Sequence, residues 1–274
     1  MSTKTENAAR AKRWQELIDK DEECIGYIND SLDGADIRKG MLVRREELLE
    51  IDYSLKKAKE NEHYPEISIT SNNTYDEIVR LCDEVSTLKM CVLNFASYFN
   101  AGGGFLKGSI AQEESLCHVS ALYNVLIQTG VYEERNSKKD VCPEYEDELI
   151  YTPEVPFTTV EGKLEELCLV DVISIAAPNC NRVPIARYDK YIKCLKKRIE
   201  AIFVLPYLNK CNKLILGAWG CGVFKNDPRL ISQYFDEACV KYGQLYDEIV
   251  YSIPNDSIRK IFNNIIGERL GLHG

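Results

Sequence analysis

Apolar residues fall at two different spacings along this chain, and the change near residue 64 divides it. In the first part Trp14, Leu17 and Ile18, then Ile25 and Ile28, recur at helical intervals among charged residues. Met41 to Ala58 keeps that character, with Leu48, Leu49, Ile51 and Leu55. The spacing predicts an N-terminal helical extension over 1–60 that packs on a core domain over 61–274.

Beyond residue 64 short apolar runs alternate with amphipathic stretches. Ile67-Ser68-Ile69-Thr70 alternates as a strand does. Thr74-Tyr75-Asp76-Glu77 has the form of a capping box and opens a helix through Leu88. Met90 to Ala96 and Leu167 to Ala176 are nearly continuous apolar runs, as expected of strands buried on both faces. Helices are predicted from about Gln112 to Gln128, with Gly130 as the stop, and from Arg187 to Leu208, with Pro206 breaking the end. Residues 133–165 are polar and read as a long irregular excursion, with Glu144 to Glu148 as a solvated loop. A strand at Lys213–Ala218 precedes a helix opened by Asp227-Pro228 and running to about Gly243. A last strand at Glu248–Ile253 is followed by a helix capped by Asp256 and ending at Gly271. Strands alternating with helices predict an α/β sandwich around a largely parallel sheet.

Composition narrows the function. The 274 residues, 45% of them hydrophobic, suffice for a sizeable core. A net charge of −9 argues against a broad basic face, so non-specific or sequence-specific nucleic-acid binding is not expected. No run of about 18 apolar residues is present, so no membrane span is expected. Met1 to Lys20 lacks the apolar centre of a secretory signal. The 11 cysteines form no C-x-x-C pair, and the 3 histidines (His63, His118 and His273) are scattered. No metal site or cofactor is therefore expected, and the thiols read as buried and reduced in a cytoplasmic protein. A monomer is compatible with the absence of a long heptad run.

Two glycine-rich segments each follow a predicted buried strand and precede a helix. The first is Gly102-Gly103-Gly104, followed after seven residues by Gln112-Glu113-Glu114; the second is Gly217-Ala218-Trp219-Gly220-Cys221-Gly222. Ligands of α/β sheets bind beyond the carboxyl ends of the strands, where backbone N–H groups and helix starts receive phosphate oxygens without needing lysine or arginine. An acidic chain can hold an anion in this way. The adjacent carboxylates supply proton transfer, and their proximity raises one of the two pKa values, which helps keep an acid protonated near neutral pH. Neighbours on a helix diverge by about 100°, so Glu113 and Glu114 do not flank one bond from opposite sides.

Together, Gly-Gly-Gly-x7-Gln-Glu-Glu, Trp219-Gly220-Cys221-Gly222-Val223-Phe224, Asn94-Phe95-Ala96-Ser97 and Ala176-Ala177-Pro178-Asn179 resemble the microbial, bacterial-type poly(ADP-ribose) glycohydrolase family over about residues 64–255. The resemblance implies a macrodomain-like three-layer α/β/α sandwich with a mixed central sheet. It implies exo cleavage of the ribose–ribose bond of poly(ADP-ribose), on ADP-ribosylated proteins, with ADP-ribose as product. Glu114 is then the acid that protonates the leaving oxygen and afterwards activates water, and Glu113 sets geometry. Gln112 would contact the adenine side, Ser97 and Asn100 the ribose, and Gly102, Gly103, Gly104 and Phe105 would line the substrate site. Gly220, Cys221, Gly222 and Val223 would offer N–H groups to the diphosphate, and Phe224 a stacking face. Trp219 and His118 read as structural. Ala101 stands where the family has proline, and Ser97 where animal members have asparagine. Two other readings use the same residues: hydrolysis of ADP-ribose from another acceptor, and a module that binds terminal ADP-ribose without cutting. The Glu113-Glu114 pair argues against the last.

Overall fold

A computed structural model of the chain describes residues 3–20, 41–44, 64–83, 89–139, 141–145, 147–158 and 167–268. Its elements in chain order are α1 (Thr3–Ile18), β1 (Met41–Val43), β2 (Glu66–Thr70), α2 (Thr74–Asp83), β3 (Met90–Asn94), α3 (Gln112–Cys117), α4 (Leu122–Gln128), α5 (Val131–Ser137), β4 (Leu149–Thr158), β5 (Leu167–Ser174), α6 (Tyr188–Leu208), β6 (Lys213–Gly217), α7 (Pro228–Tyr242), β7 (Glu248–Ser252) and α8 (Asp256–Phe262). The seven strands form one sheet in the order β1-β4-β5-β3-β6-β7-β2. From β5 across to β2 every pairing is parallel, while β4 runs antiparallel to β5, and β1 antiparallel to β4.

The continuous apolar runs are explained by burial of both faces. Cys91, Leu93, Leu214, Leu216, Ile249 and Tyr251 point to one side, into a cluster with Leu195, Ile199 and Ile202 of α6 and Ile231 and Phe235 of α7. Val92, Val172 and Ile215 point to the other, with Ile78 of α2, Leu116 of α3 and Leu122 of α4. This is the period-2 alternation of a strand, with helices covering both layers. Helix α1 belongs to the second layer. Its Ala11, Trp14 and Ile18 are buried with Phe105 and Cys117, and the Trp14 indole donates to the Ser120 carbonyl at 3.1 Å.

Several expectations change. Met41–Val43 is a strand paired with Leu149–Tyr151, not the start of a helix; Ile25, Ile28 and residues 45–63 lie outside the described residues, as does the end of the helix predicted to reach Leu88. The N-terminus of α2 is closed by Asn73 and Asp76, each side chain accepting from the other's backbone N–H, while Glu77 takes Thr70 and Asn72. The helix predicted over 112–128 is two helices. Ser120 bridges Phe157, and the Ala121 N–H donates to the Pro156 carbonyl, so residues 119–121 run beside β4. Residues 133–165 hold the end of α5 and the ten-residue β4, whose alternation is blurred by a register shift between Thr152 and Val155. Glu144 and Glu148 are buried and paired with Arg187 and Arg135, so the predicted solvated loop is a set of ion pairs. Pro206 sits within α6, and Asn255 rather than Asp256 caps α8. Cys82 and Cys168 form a disulfide, an exception to the expected reduced thiols. Among the described residues no helix is long and apolar enough to cross a membrane, and no His, Cys, Asp or Glu group is arranged to hold a metal ion.

Candidate active site

The first glycine segment leaves the carboxyl end of β3 and folds back over the start of α3. Gly102 and Gly103 take φ of 63° and 61°, a left-handed pair that side chains disfavour. Space matters as much as dihedral. A Cβ on Gly103 would lie 2.6 Å from Glu114 Oε1 and 3.1 Å from Glu113 Oε2. The glycines therefore let the loop backbone lie directly against both carboxyl groups.

That backbone serves the glutamates. The Gly104 N–H donates to Glu114 Oε1 at 2.7 Å. The Gly102 N–H faces Glu113, and the Gly103 N–H donates to the Asn100 carbonyl at 2.9 Å. The N–H groups of this loop are thus turned to the carboxylates and to the Asn100 carbonyl. Glu113, 3% exposed, is held by both oxygens: Oε2 accepts from the Ser97 N–H at 2.7 Å and Oε1 from the Asn94 side-chain amide at 3.3 Å. Burial pushes its carboxyl up to about 8; the Ser97 and Asn94 donors oppose the rise and the neighbouring Glu114 adds to it. The raised pKa expected of this pair falls on Glu113. Glu114, 6% exposed, has Oε1 engaged, whereas none of the described residues donates to its Oε2. One glutamate is locked on both oxygens; the other keeps one oxygen available.

Other predicted residues take supporting places. The Gln112 amide donates to the Leu93 carbonyl at 2.8 Å and to Thr74 Oγ1 at 3.3 Å, while its oxygen accepts from the Phe95 N–H at 2.9 Å. It splices α3 to the end of β3 through both ends of its side-chain amide. The Phe105 ring is buried and stands edge-on to His118 at 4.7 Å, packed beneath the loop. Ser97 Oγ accepts from the Asn100 N–H at 3.2 Å, which turns the chain toward the glycines.

The second segment leaves β6 and is built the opposite way. Trp219 is fully buried, and its indole donates to the Ile175 carbonyl at 2.9 Å. Gly220 takes φ of 73° over Asn226, whose amide donates to the Gly220 and Pro178 carbonyls and whose oxygen accepts from the Tyr191 hydroxyl. Above this anchor the chain is open. Among the described residues none accepts from the N–H of Gly222, Val223 or Phe224. A Cβ on Gly222 would meet nothing within 4 Å, and Val223 is 78% exposed. These are the free donors that the chain offers to an anion. Cys221 is buried, and burial pushes its thiol up to about 12, so its side chain is no nucleophile.

Sequence reasoning gave no role to Asn94, which closes β3 and holds Glu113; the signal was a polar residue ending an apolar run. It also missed Tyr98, Tyr145, Arg135 and Arg198, which come together only in the fold.

A mixed α/β sandwich with two buried adjacent glutamates under a glycine loop, and a second loop of free N–H groups nearby, defines a macrodomain-like hydrolase of the glycohydrolase class. Residues 24–159 match the family model described as microbial-type PARG, catalytic domain. Over those residues the chain is similar to the microbial-type poly(ADP-ribose) glycohydrolase (PARG) family. It is similar to the crystal structure of the Deinococcus radiodurans PARG in complex with ADP-ribose, at 25% identity and a TM-score of 0.73 over 83% of this chain and 94% of that one. It is also similar to the Thermomonospora curvata PARG bound to the inhibitor ADP-HPD, at 24% identity and a TM-score of 0.76 over 95% of this chain and 99% of that one. No curated protein sequence matches.

Proposed function

We propose that this protein is a poly(ADP-ribose) glycohydrolase that cuts the ribose–ribose O-glycosidic bond and releases ADP-ribose, acting mainly from the chain end. The observation that carries the reading is the unequal pair of glutamates. Glu114 has one oxygen fixed by the Gly104 N–H and one left for substrate, the arrangement a general acid needs to reach a leaving oxygen. As the glycosidic bond breaks, the proton passes from Glu114 to the departing ribose oxygen and an oxocarbenium ion develops on the other sugar. The carboxylate left behind takes a proton from the water that adds to that ion, which returns Glu114 to its starting form.

Glu113 stays put. Below about pH 8 it is neutral, so Glu114 works beside an uncharged neighbour and the oxocarbenium faces one carboxylate at a time. The free N–H groups of Gly222, Val223 and Phe224 suit the diphosphate of the ligand. Every group named lies on one chain, so a monomer suffices.

The test is digestion of end-labelled poly(ADP-ribose) of defined length by the purified protein, with products resolved over time. Monomeric ADP-ribose as the first product supports chain-end hydrolysis. Early release of oligomers would overturn the exo preference. Intact polymer, with release of ADP-ribose only from mono-modified protein, would move the activity to another acceptor bond.

A further inference from the structure

The two glycine segments are joined by an aromatic cluster centred on Tyr98, Phe99 and Tyr145, which lie outside both motifs. Tyr98, just beyond β3, stacks on Tyr145 with ring centroids 4.4 Å apart and planes 5° from parallel. Phe99 stands edge-on to both rings, at 5.0 and 5.8 Å. On the far side Phe224, at the end of the second segment, meets Tyr145 at 6.1 Å. Tyr145 is the link between the loops.

Its backbone is in an unfavourable place. Tyr145 takes φ of 58°, in the left-handed region that a residue with a Cβ avoids. The surroundings must impose that conformation, and one side chain stands out. Arg198 on α6 is 1% exposed. One of its terminal nitrogens donates to the Glu144 carbonyl at 2.6 Å and to the Tyr145 carbonyl at 3.3 Å; the other donates to the Ala176 carbonyl at 2.9 Å, and Nε to Asp147 Oδ1 at 3.2 Å. The planar guanidinium thus ties the carbonyls on either side of the strained residue to the chain just past β5, and no lysine could reach all these acceptors. Arg187 holds Glu144 from outside, at 2.6 and 3.0 Å.

We propose that Arg198 is a positioning residue for the nucleoside end of the substrate. It fixes Tyr145 in its left-handed conformation, and Tyr145 in turn fixes the Phe224 ring beside the open N–H groups of the second segment. Arg198 touches no substrate itself and lies on a different element from the glutamates, so it governs how the nucleotide is held and leaves the proton transfer to Glu114. This rests on the reading that the second segment receives ADP-ribose.

The test compares wild type, Arg198→Lys and Tyr145→Leu by calorimetric titration with ADP-ribose and with ADP, and by steady-state kinetics on poly(ADP-ribose). Loss of one ordered aromatic contact corresponds to about tenfold in affinity. Both variants are expected to weaken ADP and ADP-ribose alike by about tenfold and to raise KM by a similar factor, with kcat within about twofold of wild type. A general structural weakening would not produce that split. Unchanged affinity and KM, or a fall confined to kcat, would overturn the proposal. If Arg198→Lys fails to fold, Tyr145→Leu, which leaves the clamp intact, decides by the same criteria. If wild type itself neither binds nor cleaves, the reading of the site has failed first and the proposal falls with it.

Discussion

Replacing Glu113 by glutamine should make the protein more stable as the pH rises, although it removes a residue at the centre of the site. The folded chain holds this carboxyl up at about 8 against an ordinary value of 4.5, with burial as the main cause. Between those values the folded state keeps the proton while the unfolded chain releases it. Stability that is fully present below pH 4.5 is therefore lost as the pH climbs to about 8, at about 1.4 kcal/mol per pH unit. The whole interval amounts to at most about 5 kcal/mol. Glutamine has the shape of the neutral acid and does not ionise, so the variant escapes this loss. Its amide also finds partners: the Ser97 N–H still meets an oxygen, and Asn94 Oδ1, which is buried and unpaired, can turn to accept from the new amide nitrogen while Ser174 donates in its place. The assay is urea unfolding of wild type and Glu113→Gln at intervals from pH 5 to 8.5. The curves should nearly coincide at pH 5 and separate steadily, with the variant ahead by several kcal/mol at the alkaline end. Parallel pH profiles, or a variant equally destabilised at every pH, would refute the claim that Glu113 is buried as the neutral acid.

Other expectations follow from the same geometry. In kinetics, kcat of the wild type should fall above about pH 8 as Glu113 ionises, and a pH–rate profile of Glu113→Gln should lack that limb. Gly103→Ala puts a methyl 2.6 Å from Glu114 Oε1 at a left-handed position; it should cost about 1–2 kcal/mol of stability and, by displacing the acid, roughly a hundredfold or more in turnover, read by thermal melts and polymer digestion. In the second segment Gly220→Ala should lose about 1–3 kcal/mol through its positive φ and its collision with Asn226, while Gly222→Ala, which meets nothing, should melt within about 0.5 kcal/mol of wild type. Trp14→Ala should cost about 3–5 kcal/mol in urea unfolding, because Trp14 is buried against the elements under the site.

The parts of the fold legible in the sequence were those where burial is nearly complete. The runs at Met90–Asn94, Leu167–Ser174 and Lys213–Gly217 are largely apolar because helices cover both faces of the sheet. Strand β4 was illegible. It carries Pro153 and Pro156, shifts register midway and follows an acidic cluster. That cluster looked solvated because the arginines that neutralise it are distant in sequence: Arg135 lies 13 residues from Glu148, and Arg187 lies 43 from Glu144. The short strand β1 had no periodicity of its own and exists because β4 offers it an edge. At the site the spacing of the glycines and glutamates could be read directly. Which carboxyl is held on both oxygens could not, because that is set by the Ser97 N–H and the Asn94 amide, which meet Glu113 only in the fold. The glycine motif suggested a bare backbone laid against a sugar or phosphate; the fold turns that loop inward onto the carboxylates, and the open N–H groups are those of the second segment.

The measurement that bears most directly on the central claim is paired: affinity for ADP-ribose and turnover of poly(ADP-ribose), for wild type and Glu114→Gln side by side. Glutamine keeps an oxygen for the Gly104 N–H but has no proton to give. Binding should stay within about threefold of wild type while turnover falls by about a hundredfold or more. Turnover that survives the substitution would contradict the assignment of Glu114 as the acid, and tight binding without turnover in the wild type would make the protein a reader of ADP-ribose instead of a hydrolase.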